Sequence, residues 1–271
     1  SRYQFIQVVE RDGARRLYLD EGLATHSIWR RGQVLTGGVW DTYPAVAALA
    51  PRVGRVAMLG NAAGTAARAF AEFYPGVKMD GVELDPAVSE AGRRFFEMGE
   101  IPKLEVHDMD ARPYLRRTDR RYDVIIVDAY RPPYVPFYLA TREFFQLVRD
   151  HLRPGGVVAL NVATTPDDHR LATEIGGTLA GVLPTVLAWQ PLRFNQIVIG
   201  LKGPRRRPQR VSNLEIASLV DHLLAHARPV RRSNDPWTDD RAPVEWITDR
   251  MIVEFAAEGG RFEEEPLPTS P

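Results

Sequence analysis

An acid that closes a run of apolar β-branched residues is a candidate for chemistry. Val124-Ile125-Ile126-Val127 precedes Asp128, and a loop rich in aromatics and prolines follows it, carrying Tyr130, Arg131, Tyr134, Phe137 and Tyr138. A carboxylate in that place can take the proton of an attacking amine and favour a cationic electrophile. The loop can close over it and exclude water. A helix cap, or a buried acid bonded to loop N–H groups, is the competing reading. Three other groups repeat the placement. Gly60-Asn61-Ala62-Ala63-Gly64-Thr65 follows the apolar run 56–59; its glycines either admit a ligand close to the backbone or merely turn the chain. Glu83 and Asp85 close the run 78–84, and Glu83 offers enough lone pairs for both hydroxyls of a ribose. Asp108 and Asp110 follow 104–106. Asp110 can accept from the exocyclic amine of adenine, with neighbouring N–H groups, that of Ala111 included, for the ring nitrogens. The same acids would also stabilise helix N-termini.

The glycine loop lacks the Gly-Lys-Ser/Thr ending of a phosphate-binding loop and the three spaced glycines that admit a pyrophosphate. A nucleoside without phosphates fits it better than ATP or NAD. The histidines give no positive case for a metal, and none is expected. His107 stands near the acids, and His26 lies where the N-terminal strands should meet them.

These residues need elements to bring them together. Short apolar runs at 56–59, 78–84, 104–106, 123–127 and 157–161 alternate with helical patterns, as in a parallel sheet with crossover helices. The runs lack strict alternation, as expected when both sheet faces are covered. Runs at 185–189 and 196–201 add an antiparallel pair. The reading is an α/β fold with a seven-stranded, mostly parallel sheet. In such a sheet ligands bind beyond the carboxyl ends of the strands, which is where Gly60, Gly64, Glu83, Asp110 and Asp128 fall. Before it, a hairpin turning at Asp12-Gly13 and a second strand pair within 26–35 form a small β region. A last helix is expected at 214–227. The expected division is an N-terminal β-hairpin domain at 1–40, a catalytic domain at 41–255 and an acidic, proline-rich tail at 256–271.

The 271 residues balance 35 Lys+Arg against 35 Asp+Glu, which argues against a protein built around nucleic acid. Arg205, Arg206, Arg207 and Arg210 sit among prolines and read as a solvated loop. There is no cysteine, so disulfides, thiol nucleophiles and cysteine-based zinc sites are excluded. No apolar run is long enough to span a bilayer. Ser1 stands where an initiator Met would, which leaves room for a removed N-terminal segment, a membrane segment included. The expected location is cytoplasmic.

Taken in series, these motifs resemble the polyamine aminopropyltransferase (spermidine synthase) family, in its divergent bacterial branch. The resemblance rests on Leu17-Tyr18-Leu19-Asp20, the glycine loop, Val82-Glu83-Leu84-Asp85, Asp110-Ala111, the segment ending in Asp128 and Thr238-Asp239-Asp240-Arg241-Ala242-Pro243-Val244-Glu245. It implies a small N-terminal β domain followed by a Rossmann-like, methyltransferase-type sheet. It also implies transfer of an aminopropyl group from decarboxylated S-adenosylmethionine to an amine, with release of methylthioadenosine, in a homodimer. On that basis Glu83 holds the ribose, Asp110 meets the adenine amine and Asp128 is the base. His26, Tyr130, Arg131 and Tyr134 are then the candidates for contact with the amine. The chain departs from the family at Ala63, where an acid is usual, and at Arg131, where a second acid usually holds the diamine. Methyl transfer from S-adenosylmethionine, or a non-catalytic binding or assembly role, are the alternatives.

Overall fold

A computed structural model describes residues 1–19, 24–131 and 133–261. Asp20 and the segment 262–271 therefore lie outside the described residues. The chain opens with β1 (Ile6–Arg11), β2 (Ala14–Leu19) and β3 (Thr25–Arg30), an antiparallel sheet in that order. Asp12 and Gly13 both have positive φ (53° and 71°), so the Asp-Gly pair makes the tight turn its composition indicates. The expected strand within 31–35 does not form. Past the bridge of Arg30 to Gln33, the chain turns away, and the N–H groups of Thr36 and Gly37 donate to Asp41 Oδ2, each at 2.7 Å. That bond pair fixes the 3-10 turn Val39–Thr42, which leads straight into α1 (Tyr43–Ala47).

The large sheet is built from β4 (Arg55–Leu59), α2 (Thr65–Phe73), β5 (Lys78–Glu83), α3 (Pro86–Phe95), β6 (Leu104–Asp108), α4 (Ala111–Arg117), β7 (Tyr122–Val127), α5 (Arg142–His151) and β8 (Leu152–Ala163). It is completed by α6 (Arg170–Leu179), β9 (Thr185–Leu192), β10 (Asn195–Leu201), α7 (Leu214–His226), β11 (Arg228–Pro229) and α8 (Val244–Ala257). The strand order is β11-β9-β10-β8-β7-β4-β5-β6. The five strands from β6 to β8 are parallel, and β10, β9 and β11 run antiparallel to their neighbours. All seven expected strands are present; the two-residue β11 adds an eighth at the edge. β8 begins five residues earlier than expected. Pro154-Gly155-Gly156 does not end a turn there; it forms an irregularity inside the strand, between the pairs Tyr122–Leu152 and Val124–Val157.

Helices cover both faces, so β7 is buried at every residue. One apolar cluster joins Leu59, Val127, Phe144, Leu160 and Ile175; the other joins Met58, Phe70, Ile126, Trp189 and Ile199. Alternate residues of the same strands thus serve opposite faces. Burying such side chains is worth roughly 1.5–3 kcal/mol each, which makes the central strands a rigid base for the loops at their carboxyl ends. Helix α8 was not among the expected elements, and it carries the chain to Ala257, across the expected boundary at 255–256. Arg205, Arg206, Arg207 and Arg210 stand exposed on a loop, as their prolines suggest. No helix of the described residues is long and apolar enough to cross a membrane.

Candidate active site

Register places the acids along one edge. Leu59 pairs with both Val82 and Val127, and Glu83 pairs with Asp108. Gly60, Glu83, Asp110 and Asp128 therefore leave four adjacent parallel strands at nearly one level. Gly60 (φ 94°) is required by this packing. A Cβ on it would lie 2.2 Å from the Asp128 carbonyl oxygen, far inside contact distance. Gly64 (φ 85°) opens α2 and packs under Met98.

Glu83 is held by backbone, and Asp110 by one backbone bond and one side chain. Glu83 Oε2 accepts from Ala62 N at 2.9 Å and Oε1 from Asp85 N at 3.2 Å. Burial pushes its carboxyl above the usual range, against the pull of those N–H groups. Asp110 caps α4, with Oδ1 accepting from Arg112 N at 2.8 Å. Ala111, buried, is the first residue of that helix. Tyr138, from the loop after β7, donates its hydroxyl to Asp110 Oδ2 at 2.6 Å.

Asp128 is held differently, by side chains from distant segments. Tyr43 of α1 donates to Oδ2 at 2.6 Å, and Asn161 of β8 donates to Oδ1 at 2.9 Å. Asn195 of β10 donates to Asn161 Oδ1 at 3.0 Å, which fixes the amide's orientation. Each carboxylate oxygen keeps a free lone pair. Burial raises the Asp128 carboxyl, while the Tyr43 and Asn161 bonds and the charge of His26 pull it down. His26 lies on β3 of the small sheet, which is held against the glycine loop. The small sheet is pinned there by bonds from Ala63 N to Ser27 Oγ (3.0 Å) and from Thr65 Oγ1 to the Ile28 carbonyl (3.0 Å). Tyr130 sits beside Asp128, donating to the Asn161 carbonyl at 3.0 Å and accepting from Ala163 N at 2.8 Å.

The other two loop residues point elsewhere. The Tyr134 hydroxyl bonds Asp249 of α8 at 2.6 Å. Arg131 is exposed, and its backbone bridges to that of Tyr134. Tyr130 thus shares Asn161 with Asp128, whereas the Tyr134 hydroxyl is bonded away from it. Sequence reasoning missed Tyr43, Asn161 and Asn195. Asn161 carries a usable signal, a polar residue near the carboxyl end of a parallel strand; Tyr43 carries none.

The far end of the loop is clamped. Arg112, almost fully buried, grips Asp239 through two bonds of 2.8 and 2.6 Å, and reaches the Tyr138 carbonyl at 3.2 Å. Thr141 Oγ1 donates to the same Asp239 at 2.7 Å. Two surface grooves, of about 490 and 440 Å³, are lined by neither Glu83, Asp110 nor Asp128.

One group among the described residues has metal-ligand spacing, Asp80, Glu105 and His107. Guanidinium groups already fill it: Arg55 binds Asp80 at 2.9 Å, and Arg120 binds both Asp80 and Glu105. A cation would have to displace both. His222 and His226 also share a face of α7, a helical spacing that the sequence reading passed over. The Trp189 indole N–H donates to His222 Nδ1 at 3.0 Å, so the neutral ring carries its proton on Nε2, where a metal would need a lone pair.

A parallel sheet with an antiparallel edge pair, topped by this row of acids, defines a methyltransferase-type α/β protein with a small β-sheet at its front. The family can be stated more closely. Residues 45–189, more than half of the chain, match the spermine/spermidine synthase domain, and the chain belongs to that family. It is 30% identical over 284 residues to a probable polyamine aminopropyl transferase of Bifidobacterium longum, covering 95% of this chain and 63% of that one. It is 37% identical over 128 residues to a polyamine aminopropyltransferase of Vibrio vulnificus, covering 45% of this chain and 43% of the other. The chain thus spans less than two thirds of the length of these relatives. A probable spermidine synthase from Corynebacterium glutamicum superposes with a TM-score of 0.68 at 21% identity, covering 99% of this chain and 96% of that one. It shares the fold.

Proposed function

We propose that the protein transfers an aminopropyl group from decarboxylated S-adenosylmethionine to an amine, releasing methylthioadenosine. The observation that carries this reading is the held carboxylate of Asp128, which keeps a free lone pair on each oxygen at the end of a nucleoside-type edge. Glu83 would hold the ribose hydroxyls, and Asp110, with the N–H of Ala111, the adenine. Gly60 and Gly64 would shape the loop on which the donor lies, packed against the Asp128 backbone and Met98. Asp128 orients the attacking amine and takes its proton. The new bond forms from the amine nitrogen to the methylene carbon on the donor's sulfur, the carbon–sulfur bond breaks, and the sulfur leaves with the electron pair as a neutral thioether. His26 and Tyr130 would shape the amine's approach. Two copies would form the working unit, and no metal is required by this scheme.

Arg131 argues for an acceptor other than a simple diamine, and Ala63 stands where an acid is expected near the donor's aminopropyl end, so both forms of the donor are tested. The test is a mass-spectrometric screen in which the protein receives S-adenosylmethionine or its decarboxylated form, each with a panel of amines and amino acids. Methylthioadenosine whose release depends on an added amine is the expected result, and the heavier product names the acceptor. Release of S-adenosylhomocysteine would replace the proposal with methyl transfer. Nucleoside binding with neither product would make the chain a binding module.

A further inference from the structure

Tyr138 is tied at both ends to the first turn of α4. Its hydroxyl donates to Asp110 Oδ2 at 2.6 Å, and its carbonyl accepts from Arg112 at 3.2 Å. Its ring stands edge-on to Phe137, with centroids 5.7 Å apart and planes at 87°. The consequence falls on Asp110. The terminal torsion of an aspartate is broad, and a cap bond to one oxygen alone leaves the carboxylate plane loosely set. Here Oδ1 receives Arg112 N and Oδ2 receives the phenol, so the plane is fixed and each oxygen keeps one lone pair for a ligand. Burial and the adjoining carboxylate push the Tyr138 phenol well above its ordinary value, so it stays a donor across the physiological range.

We propose that Tyr138 is a positioning residue for nucleobase choice: by fixing the Asp110 carboxylate it turns an acceptor toward a 6-amino group, and so sets a preference for adenine over a 6-oxo base. This rests on the reading of Asp110 as the adenine contact. A 6-amino group donates into a held carboxylate. A 6-oxo group brings a second acceptor against it and leaves both without a proton, and a site built around one polar partner rejects the analogue that lacks it. The contact also joins base recognition to catalysis in space, because one loop carries Asp128 at its start and Tyr138 near its end.

The test is calorimetric titration of the full chain with methylthioadenosine and with its 6-oxo analogue, methylthioinosine. The wild type is expected to prefer the adenine nucleoside roughly 100-fold or more. Tyr138→Phe should cut that preference about tenfold, all of it on the adenine side, with methylthioinosine affinity held within about twofold. Phe137→Leu disturbs the same loop without removing a hydrogen bond and should leave the preference intact. Equal losses for both nucleosides in Tyr138→Phe would overturn the proposal, as would the same loss of preference in Phe137→Leu. If Asp110→Asn abolishes the preference while Tyr138→Phe preserves it, Asp110 is the adenine contact and Tyr138 does not position it. A wild type that shows no preference would remove the Asp110 reading itself.

Discussion

The two halves of the candidate site are held by different means. On the side proposed for the nucleoside, Glu83 accepts from the N–H groups of Ala62 and Asp85, and Asp110 from that of Arg112 and from the Tyr138 hydroxyl. On the side proposed for the acceptor, Asp128 accepts from the side chains of Tyr43 and Asn161, which lie 85 and 33 residues away in the chain. A backbone donor exists whatever residue supplies it, so the first half tolerates change in its surroundings except at Tyr138. The second half depends on particular side chains, and each can be removed by one substitution. Under the proposed function, such a site can keep its donor while its acceptor changes.

The sharpest break of this comparison is Asp128→Asn. It should lower turnover by about 10³-fold or more, as loss of a base does, while nucleoside affinity stays within about threefold. Full activity in steady-state assays would remove Asp128 as the base. Glu83→Gln is the mirror experiment. Loss of a charged acceptor in a buried setting should weaken nucleoside binding roughly 30-fold. A 2′,3′-dideoxy nucleoside should bind wild type and variant alike, and a difference there would place the ribose elsewhere.

Tyr43→Phe probes how the acceptor half is held. The Tyr43 bond pulls the Asp128 carboxyl down, so its loss should raise that carboxyl further. The base form then appears only at higher pH, and the acidic limb of the kcat profile should move upward, with turnover at neutral pH falling about tenfold. A smaller kcat on an unmoved profile would mean that Tyr43 only packs. Arg131→Asp should have the smallest effect, because the guanidinium is exposed and screened. The KM of a cationic acceptor should fall about threefold and that of an anionic one should rise as much. If neither KM changes, Arg131 lies out of reach of the acceptor.

The same contrast explains what could be read from the sequence. The sheet was legible because each strand is a short apolar run closed by a polar residue, and the candidate acids stand at those closures. Glu83 and Asp110 each take a backbone bond from a residue two positions on, so the local sequence carries that part of their setting. Tyr43 was not legible: it lies in an alanine-rich helix, and nothing near it marks its hydroxyl as a partner of Asp128. Tyr134 shows the opposite failure. It sits in the right loop, yet its hydroxyl turns to Asp249 on α8, an element that escaped notice because exposed Trp246 and Val253 blur its apolar stripe. The missing strand within 31–35 has a local cause, since Asp41 collects the N–H groups of Thr36 and Gly37 and bends that segment into α1.

The Arg112–Asp239 clamp has a consequence for biosynthesis. Its partners are separated by 127 residues of chain, and the clamp also takes hold of Thr141 and, through Arg112, of Tyr138. At about 5–20 residues added per second, a nascent chain that has just finished the first turn of α4 waits several seconds or more for Asp239 to emerge. The central strands can pair during that interval. The corner around Asp110 and Tyr138 cannot take its final form until then, so a ribosome-bound fragment ending before Asp239 would carry a formed sheet with that edge still open.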